Sequence, residues 1–232
     1  MRGAPQRILA CTVFTALPAA GAPAPLPSPE ALHRIQSECL KAYPPDLLLD
    51  MTSGTMRALP ESMERDASAT FDVMSKNRDV TKGIFYPSLL QDILPALARH
   101  IRPGSKFLDL GSGDGRVVFL AGLLGAKAYG IEYEKNLVEI SQKAGKSLED
   151  LIDSKRIHLI QGDFFLQSWS DYDVIFYFDR GSSDRERLEG KIAAELRPEG
   201  RFLVSFEEAP FERLELDSQV PNVSIYRRVS PR

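Results

Sequence analysis

The second half of the chain alternates between two patterns of apolar and polar positions. Short apolar runs, such as 106–110 and 173–177, stand between longer segments in which apolar residues recur every three or four positions, such as 134–152. The short runs are typical of buried strands, and the longer spacing is typical of amphipathic helices. Strands that alternate with helices predict an α/β fold built on a doubly wound, mostly parallel sheet.

The pattern changes at the end of the chain. Residues 211–216 and 223–229 both alternate like strands, with a turn predicted at 217–222 and no helix between them. Two consecutive strands predict an antiparallel hairpin, which completes a seven-stranded sheet. The other predicted strands are 106–110, 127–131, 156–160, 173–177 and 201–206, and the predicted helices are 29–43, 55–76, 89–98, 115–124, 134–152 and 183–196.

A glycine-rich turn follows the first of these strands, with the run Asp-Leu-Gly-Ser-Gly-Asp-Gly at 109–115. Glycines let the backbone pass close to a ligand, and the start of the following helix offers free N–H groups, so the turn indicates a nucleotide-cofactor site. A dinucleotide site favours G-x-G-x-x-G, whereas the spacing here is G-x-G-x-G. S-adenosylmethionine has no phosphate, and its positively charged groups suit a carboxylate at the strand tip, such as Asp109.

The next two strands also end in acidic residues. Glu132 and Tyr133 follow the second strand, and Asp163 and Phe164 follow the third. A carboxylate at the second tip can accept hydrogen bonds from both ribose hydroxyls of a nucleoside. Three acidic tips beside one glycine turn favour a cofactor site over solvated turn carboxylates. The predicted cofactor-binding residues are Asp109, Gly111, Ser112, Gly113, Asp114, Gly115, Glu132, Tyr133, Asp163 and Phe164.

Residues from about Tyr86 onward resemble the class I, seven-strand S-adenosylmethionine-dependent methyltransferases. The resemblance lies in the runs at 109–118, 130–132 and 162–164, and in the aromatic-proline segment 85–87. Within the superfamily the chain is most similar to protein-lysine methyltransferases of two types. One type is the non-SET histone lysine enzymes, and the other is the mitochondrial enzymes that modify the ATP synthase c-subunit and the adenine nucleotide translocase. The resemblance implies S-adenosylmethionine as cofactor, Asp163 and the following aromatic against the adenine, and a protein lysine as substrate.

The segment after the fourth strand departs from one familiar pattern. Amino-methylating nucleic acid enzymes carry Asn- or Asp-Pro-Pro-Tyr there, but this chain has Tyr-Phe-Asp-Arg-Gly at 177–181, which disfavours adenine N6 and glutamine amide as acceptors. The resemblance places Tyr86, Tyr177 and Asp179 near the reacting methyl group, so they are the candidate catalytic residues. An aromatic pocket or a carboxylate there would help a lysine amine arrive neutral. Packing roles for the tyrosine at 177 and a turn role for the aspartate are the alternatives.

The first residues of the chain have a different composition. Residues 1–29 contain arginine but no acidic residue, an apolar run at 8–17, and then small residues and prolines. This arrangement favours a secretory signal or an organelle transit segment followed by a linker; a plain Ala/Pro arm is the alternative, with cytoplasmic residence. The apolar run is too short to span a bilayer. We therefore predict a leader at 1–29, a helical extension at 30–80 and a methyltransferase domain at 81–232.

Charge and cysteine content narrow the range of partners. The net charge is −3, so the chain has no basic footprint of the kind that nucleic acid binding requires. The two cysteines give neither a disulfide framework nor the spacing of a metal site. A protein substrate is predicted, and a small molecule is the alternative.

Three other functions compete with protein-lysine methylation. A small-molecule N- or O-methyltransferase would use the same cofactor, but usually carries larger inserted substrate helices. A non-catalytic S-adenosylmethionine-binding module would not need to keep the glycines and all three acidic tips. An NAD-dependent oxidoreductase is disfavoured by the glycine spacing, by the terminal hairpin and by the lack of a suitably placed Tyr-x-x-x-Lys pair.

Overall fold

The computed structural model describes residues 25–43, 87–179, 184–207 and 209–229. These residues form a seven-stranded sheet with α-helices on both faces. In chain order the elements are α1 (Pro29–Ala42), α2 (Leu90–His100), β1 (Lys106–Leu110), α3 (Arg116–Leu123), β2 (Lys127–Glu132), α4 (Lys135–Ser147), β3 (Ile157–Gln161), β4 (Val174–Phe178), α5 (Arg185–Glu195), β5 (Arg201–Ser205), β6 (Leu214–Val220) and β7 (Val223–Arg228), with 3₁₀ turns at Ser154–Arg156 and Phe164–Leu166.

The strand order is β3-β2-β1-β4-β5-β7-β6. Strands β1 to β5 pair in parallel, and β7 lies antiparallel between β5 and β6. The predicted mixed sheet with an antiparallel hairpin is therefore confirmed. The chain runs outward from β1 to β3 and returns on the other side of β1 as β4. Ligands of open α/β sheets bind at such a switch point, outside the carboxyl ends of the strands.

The sheet separates two apolar cores. Helices α1 to α4 cover one face, where Phe107 and Phe176 are buried. Helix α5 and the segment around Trp169 cover the other face, where Leu108 and Ile175 are buried. Successive residues of a strand point to opposite faces, so Asp109 shares the α1–α4 face with Phe107. Because of this alternation, only strand-tip side chains on the same face of the sheet can contact the same ligand.

Helix α1 belongs to the first of these cores. Ile35 and Cys39 are fully buried in the same cluster as residues of α2, α3 and α4. Ser28 caps the helix by accepting a hydrogen bond from the N–H of Ala31, as its place before a proline-initiated helix favours. The first helix of the predicted N-terminal extension is thus packed against the sheet domain.

Most element boundaries lie within three residues of the prediction, but two differ by more. Strand β6 continues to Val220, so the hairpin turn is the pair Pro221 and Asn222 and not the six residues 217–222. Asn222 has a φ of 64°, a left-handed conformation that asparagine tolerates better than most residues. Helix α4 ends at Ser147, where the N–H of Leu148 bonds to the carbonyl of Gly145 in a tightened last turn. Hydrophobic spacing continues past the end of α4 because Leu148 and Ile152 in the following turns are also buried, whereas the end of β6 is polar because it lies on an exposed edge strand.

Some predictions fall outside the described residues. They are the leader and most of the linker (1–24), the helix at 55–76, and the candidate catalytic residue Tyr86. Within the described ranges, no helix is both long enough and apolar enough to cross a membrane.

Helix α2 contains an exposed proline that weakens it. Pro95 lies in the helix interior and cannot donate to the carbonyl of Gln91, and its ring crowds that carbonyl. We expect Pro95→Ala to raise the free energy of unfolding by about 1–3 kcal/mol, measured by urea denaturation.

A second proline provides the control. Pro198 lies in the exposed turn before β5, where a proline mainly restricts the unfolded chain. Pro198→Ala should therefore lower the stability, by up to about 1 kcal/mol. Equal loss of stability in both variants would mean that the packing of α2 depends on the bend at Pro95.

Candidate cofactor-binding site

The turn between β1 and α3 is a left-handed backbone path. Gly111, Gly113 and Gly115 have φ angles of 78°, 54° and 82°, which only glycine adopts without steric cost. The N–H groups of Gly111 and Ser112 both donate to the carbonyl of Ile131, at 2.9 and 3.1 Å. A Cβ atom added at Gly111 would have no neighbour within 4 Å. The turn is thus fixed to the end of β2 and borders open space.

A fourth glycine lets the turn approach β2. A Cβ atom at Gly130 would lie 2.6 Å from Oγ of Ser112 and 2.7 Å from Cγ2 of Val118. Ser112 is itself buried against this position. Gly130 is therefore required by close packing rather than by its φ angle. A contact of Ser112 with the cofactor stays a prediction.

Glu132 ties the turn to the end of β2. Its two carboxylate oxygens accept hydrogen bonds from the N–H groups of Gly113 (2.8 Å) and Glu134 (2.9 Å). Burial raises the pKa of Glu132, and these N–H donors partly oppose that shift. The N–H of Tyr133 also donates to this carboxylate. A carboxylate offers about four acceptor positions, so about one remains for a ribose hydroxyl. The predicted ribose contact is compatible with this geometry.

Asp109 is a buried carboxyl group that the described residues do not neutralise. It is 3% exposed, and no described residue donates a hydrogen bond to its carboxylate. Burial raises the pKa of Asp109 well above its usual value, and the nearby carboxylates of Glu132 and Asp114 raise it further. Asp109 and Glu132 lie on the same sheet face, because Asp109 pairs with Gly130, two residues before Glu132. A ligand with a positive charge would stabilise this group.

Asp114, in contrast to Asp109, is neutralised by a cationic side chain. It forms a buried ion pair with Arg116, with 2.6 Å between Nη2 and Oδ2, and it accepts a further hydrogen bond from the hydroxyl of Tyr43 at 3.2 Å. Arg116 also donates to the carbonyl of Ser88 at 3.4 Å. The carboxylate therefore joins the cofactor turn to α1 and to the segment before α2. Direct cofactor contact by Asp114 stays a prediction.

Tyr43 is a site residue that the sequence did not indicate. It lies at the C-cap of α1, 2% exposed, and burial followed by the charge of Asp114 raises its pKa well above the usual value. Its partner lies 71 residues away along the chain, so no local spacing could have revealed the contact. Cys39, one turn earlier, donates from Sγ to the backbone carbonyl of Asp114 at 3.6 Å.

The segment after β3 forms an aromatic wall. Asp163 caps a 3₁₀ turn by accepting from the N–H of Phe165, and the rings of Phe164 and Phe165 lie 4.6 Å apart. The indole of Trp169 donates to the carbonyl of Phe164 at 3.0 Å, and Arg187 of α5 stacks over Phe165 at 4.0 Å. These contacts fix the position of Phe164. Contact of Asp163 and Phe164 with an adenine stays a prediction. Tyr133, after β2, is 42% exposed.

Two of the candidate catalytic residues, Tyr177 and Asp179, lie within the described residues. Tyr177 is 8% exposed and packs in the α5-side core, on the sheet face opposite Asp109. Asp179 is fully buried and ion-paired with Arg185, which also donates to the carbonyl of Ala209. This pair links the end of β4 to the start of α5. Proton removal by Asp179 and catalysis by Tyr177 stay predictions, as does the role of Tyr86.

The site is suited to S-adenosylmethionine. The open space at Gly111 leaves room for a ligand beside the turn, and a Cβ atom at Gly162 would likewise meet nothing within 4 Å. Asp109 supplies a buried carboxylate that has no cationic partner among the described residues, and Glu132 retains acceptor capacity for a hydroxyl. A group of three metal-ligating side chains does not occur among the described residues.

Comparison with known proteins agrees with this assignment. Residues 109–207 match the sequence model of the ANTKMT methyltransferase domain. A ribosomal protein L11 methyltransferase from Thermus thermophilus is 54% identical over 41 residues, which is 18% of this chain and 16% of that protein. The chain thus matches a small part of that curated relative.

Two solved structures are similar to the chain. An RNA methyltransferase from Salinibacter ruber, in complex with S-adenosyl-L-homocysteine, is 26% identical, with a TM-score of 0.43, and the match covers 58% of this chain and 89% of that one. MtNAS, in complex with MTA and tNA, is 16% identical, with a TM-score of 0.51, and the match covers 86% of this chain and 71% of that one. The second likeness shows that the fold is shared over most of the chain.

Asp109 allows a test of the site with two opposite effects. Because its pKa is raised by folding, Asp109 contributes most stability when protonated, and this contribution is lost as pH rises through the raised value. We expect Asp109→Asn to increase the free energy of unfolding by about 1–3 kcal/mol near neutral pH, with the difference vanishing in acid. The same change should weaken S-adenosylmethionine binding roughly tenfold to a hundredfold, measured by calorimetry.

Asp171→Asn is the matched control, since Asp171 is exposed and has only a weak ion pair with Lys106 at 3.6 Å. It should change neither property. Undiminished cofactor affinity in Asp109→Asn would remove Asp109 from the site.

Tyr43→Phe tests the link between α1 and the cofactor turn. The change deletes the hydroxyl that donates to Asp114 and keeps the buried ring. We expect a loss of about 1.5–3 kcal/mol in the free energy of unfolding, because the lost hydrogen bond goes to a charged acceptor. Tyr172→Phe should be nearly neutral, since no described residue hydrogen-bonds to that half-buried hydroxyl. Equal effects in urea denaturation would contradict a specific role for Tyr43.

Proposed function

We propose that this class I S-adenosylmethionine-dependent methyltransferase, whose residues 109–207 match the ANTKMT methyltransferase domain, methylates lysine side chains of a protein. The match to that domain is the observation that carries the proposal. It spans the glycine turn, all three acidic strand tips and the ends of β4 and β5.

Two further observations support a protein acceptor. The curated relative from Thermus thermophilus is named for a protein substrate, the ribosomal protein L11. The sequence after β4 also lacks the Asn- or Asp-Pro-Pro-Tyr run of nucleic acid amino-methylases, and the chain is acidic overall. Lysine side chains are cationic, so a protein with net charge −3 does not repel a lysine-rich partner.

The chain's own residues would act mainly by binding and alignment. Bound S-adenosylmethionine would supply an activated methyl group to the neutral amine nitrogen, with the electron pair of the methyl–sulfur bond left on sulfur in S-adenosylhomocysteine. Asp109 would hold the positive groups of the ligand, and Glu132 its ribose hydroxyls. The fixed turn would set the direction in which the methyl group points, and the positioning of the amine in line with it supplies most of the rate enhancement.

The amine must also lose its proton. A lysine amine that leaves water for an apolar site has a lowered pKa, because burial disfavours its charged form. The proton can then pass to solvent before the transfer, with no dedicated base. This route agrees with the buried, ion-paired state of Asp179.

The proposal is tested with labelled methyl groups. S-adenosylmethionine carrying a tritiated methyl group is incubated with the full chain and a cell extract, either untreated or with its lysines first blocked by reductive dimethylation. We expect label in protein bands of the untreated extract and little in the blocked one. Label in the low-mass filtrate would favour a small-molecule acceptor, and label that survives lysine blocking would favour another side chain.

Two glycine variants supply matched controls. Gly111 and Gly104 both have left-handed backbones and open space at Cβ, but Gly104 lies in the turn before β1, at the opposite edge of the sheet. Gly111→Arg and Gly104→Arg should each lose about 1–2 kcal/mol of stability through backbone strain. Only Gly111→Arg should abolish S-adenosylhomocysteine binding and labelling. Retained binding in Gly111→Arg would place the cofactor elsewhere.

A further inference from the structure

Phe206, directly after β5, has an unusual backbone. Its φ angle is 55°, and of the described residues only Phe206 and Asn222 combine a positive φ with a side chain. Asparagine tolerates the left-handed region, but a bulky aromatic residue there is a genuine outlier. Such conformations persist where the surrounding structure holds them, and they cluster at functional sites.

The left-handed backbone changes the direction in which the ring points. Phe202 and Val204 of β5 are buried on the α5 side of the sheet, and an extended Phe206 would follow them. Instead its ring stacks with that of Phe178 at the end of β4, with centroids 5.0 Å apart and planes inclined by 34°. Phe178 packs against the core on the α1–α4 side. The kink therefore brings Phe206 to the sheet face that carries Asp109.

The ring pair lies next to the cofactor turn. Leu110 of β1 pairs with Tyr177 of β4, so Phe178 stands level with Gly111, where the open space begins. The rings of Phe178 and Phe206 thus lie at the carboxyl edge of the sheet, and Phe178 is on the strand next to that of Asp109.

The backbone before Phe206 is held on both sides. The carbonyl of Ser205 accepts a hydrogen bond from the N–H of Asp179 at 2.9 Å, and its hydroxyl donates to the carbonyl of Asn222 at 3.2 Å. Asp179 is in turn fixed by Arg185. The ring of Phe206 is 39% exposed, so burial alone does not account for keeping it in a strained conformation.

We propose that Phe206 is a substrate-binding residue, whose ring forms with Phe178 the wall along which the methylene chain of a primary alkylamine enters toward the methyl group. This inference rests on the proposed function. An aromatic face packs against methylene groups and attracts an ammonium group, and it also removes water from the amine. The strained backbone holds the ring in position before the substrate arrives.

A binding experiment tests directly whether the ring of Phe206 contacts an alkylamine. The full chain, saturated with S-adenosylhomocysteine, carries 4-fluorophenylalanine at position 206, and n-butylammonium serves as the probe for a lysine side chain. The fluorine resonance should shift with saturation, and n-butanol should shift it less. The same label at Phe211, which is 2% exposed, is the control and should not respond. Equal responses at both positions, or none at Phe206, would overturn the proposal.

Kinetic variants give the second readout. Phe206→Gly removes both the ring and the strain, so its thermal unfolding midpoint should be no lower than that of the unmodified chain. Its S-adenosylhomocysteine affinity should be unchanged, but tritium transfer to the untreated extract should fall roughly tenfold to a hundredfold. Phe206→Tyr should keep the rate. Leu216→Ala, at an exposed apolar position on the outer strand β6, should alter none of the three properties.

The failures of the two proposals are distinguishable. If the unmodified chain labels no protein, methylation of protein lysine fails, and the fluorine titration still decides whether Phe206 contacts an alkylamine. If labelling occurs and Phe206→Gly keeps the full rate, Phe206 is not a substrate-binding residue. A lower unfolding midpoint or weaker cofactor affinity in that variant would assign Phe206 a structural role instead.

Discussion

The buried ion pair between Asp114 and Arg116 fixes the turn on which the cofactor site depends. Taking both charges out of water is expensive, and the pair is tolerable because its remaining hydrogen-bonding capacity is used. Tyr43 donates to the carboxylate, and Arg116 reaches the carbonyl of Ser88. Three segments that are distant in sequence therefore meet at one residue of the glycine turn. The cofactor turn is stabilised from behind by α1, and so the N-terminal helix is part of the site's framework.

Two buried carboxylates of the same turn, Asp114 and Asp109, have different charged neighbours. Asp114 is neutralised inside the protein by Arg116, whereas Asp109 is equally buried but receives no cation from the described residues. A third carboxylate, Glu132, lies close enough to raise the pKa of Asp109. A buried carboxylate without a cation destabilises the folded protein, and a positively charged ligand would offset that cost. The electrostatic imbalance and the open space at Gly111 indicate the same ligand.

The cofactor half of the site could be predicted from the sequence because its determinants are local. Each acidic residue directly follows a strand, and the glycines lie within seven residues at 109–115, so hydrophobic periodicity alone positions them. Tyr43, Arg185 and Phe206 were missed for the opposite reason. Their contacts join residues that are not neighbours in sequence, and the local sequence around each of them contains no recognisable motif. The hairpin turn was also predicted too long, since Asp217, Ser218 and Gln219 are polar residues of an edge strand and resemble a turn in sequence.

The residues that surround the cofactor turn and the residues of the proposed acceptor-binding region are held in place by different kinds of interaction. The cofactor half relies on backbone N–H groups and on glycines that adopt left-handed angles without strain. The proposed acceptor-binding region consists of side chains at the ends of β4 and β5, where the Asp179–Arg185 pair and the left-handed backbone of Phe206 lie. Side chains at strand ends can be exchanged without disturbing the glycine turn, because they lie on other strands. Methyltransferases of one fold can therefore keep their cofactor while their acceptors diverge, and the proposed role of Phe178 and Phe206 would place the choice of substrate outside the motif that reveals the cofactor.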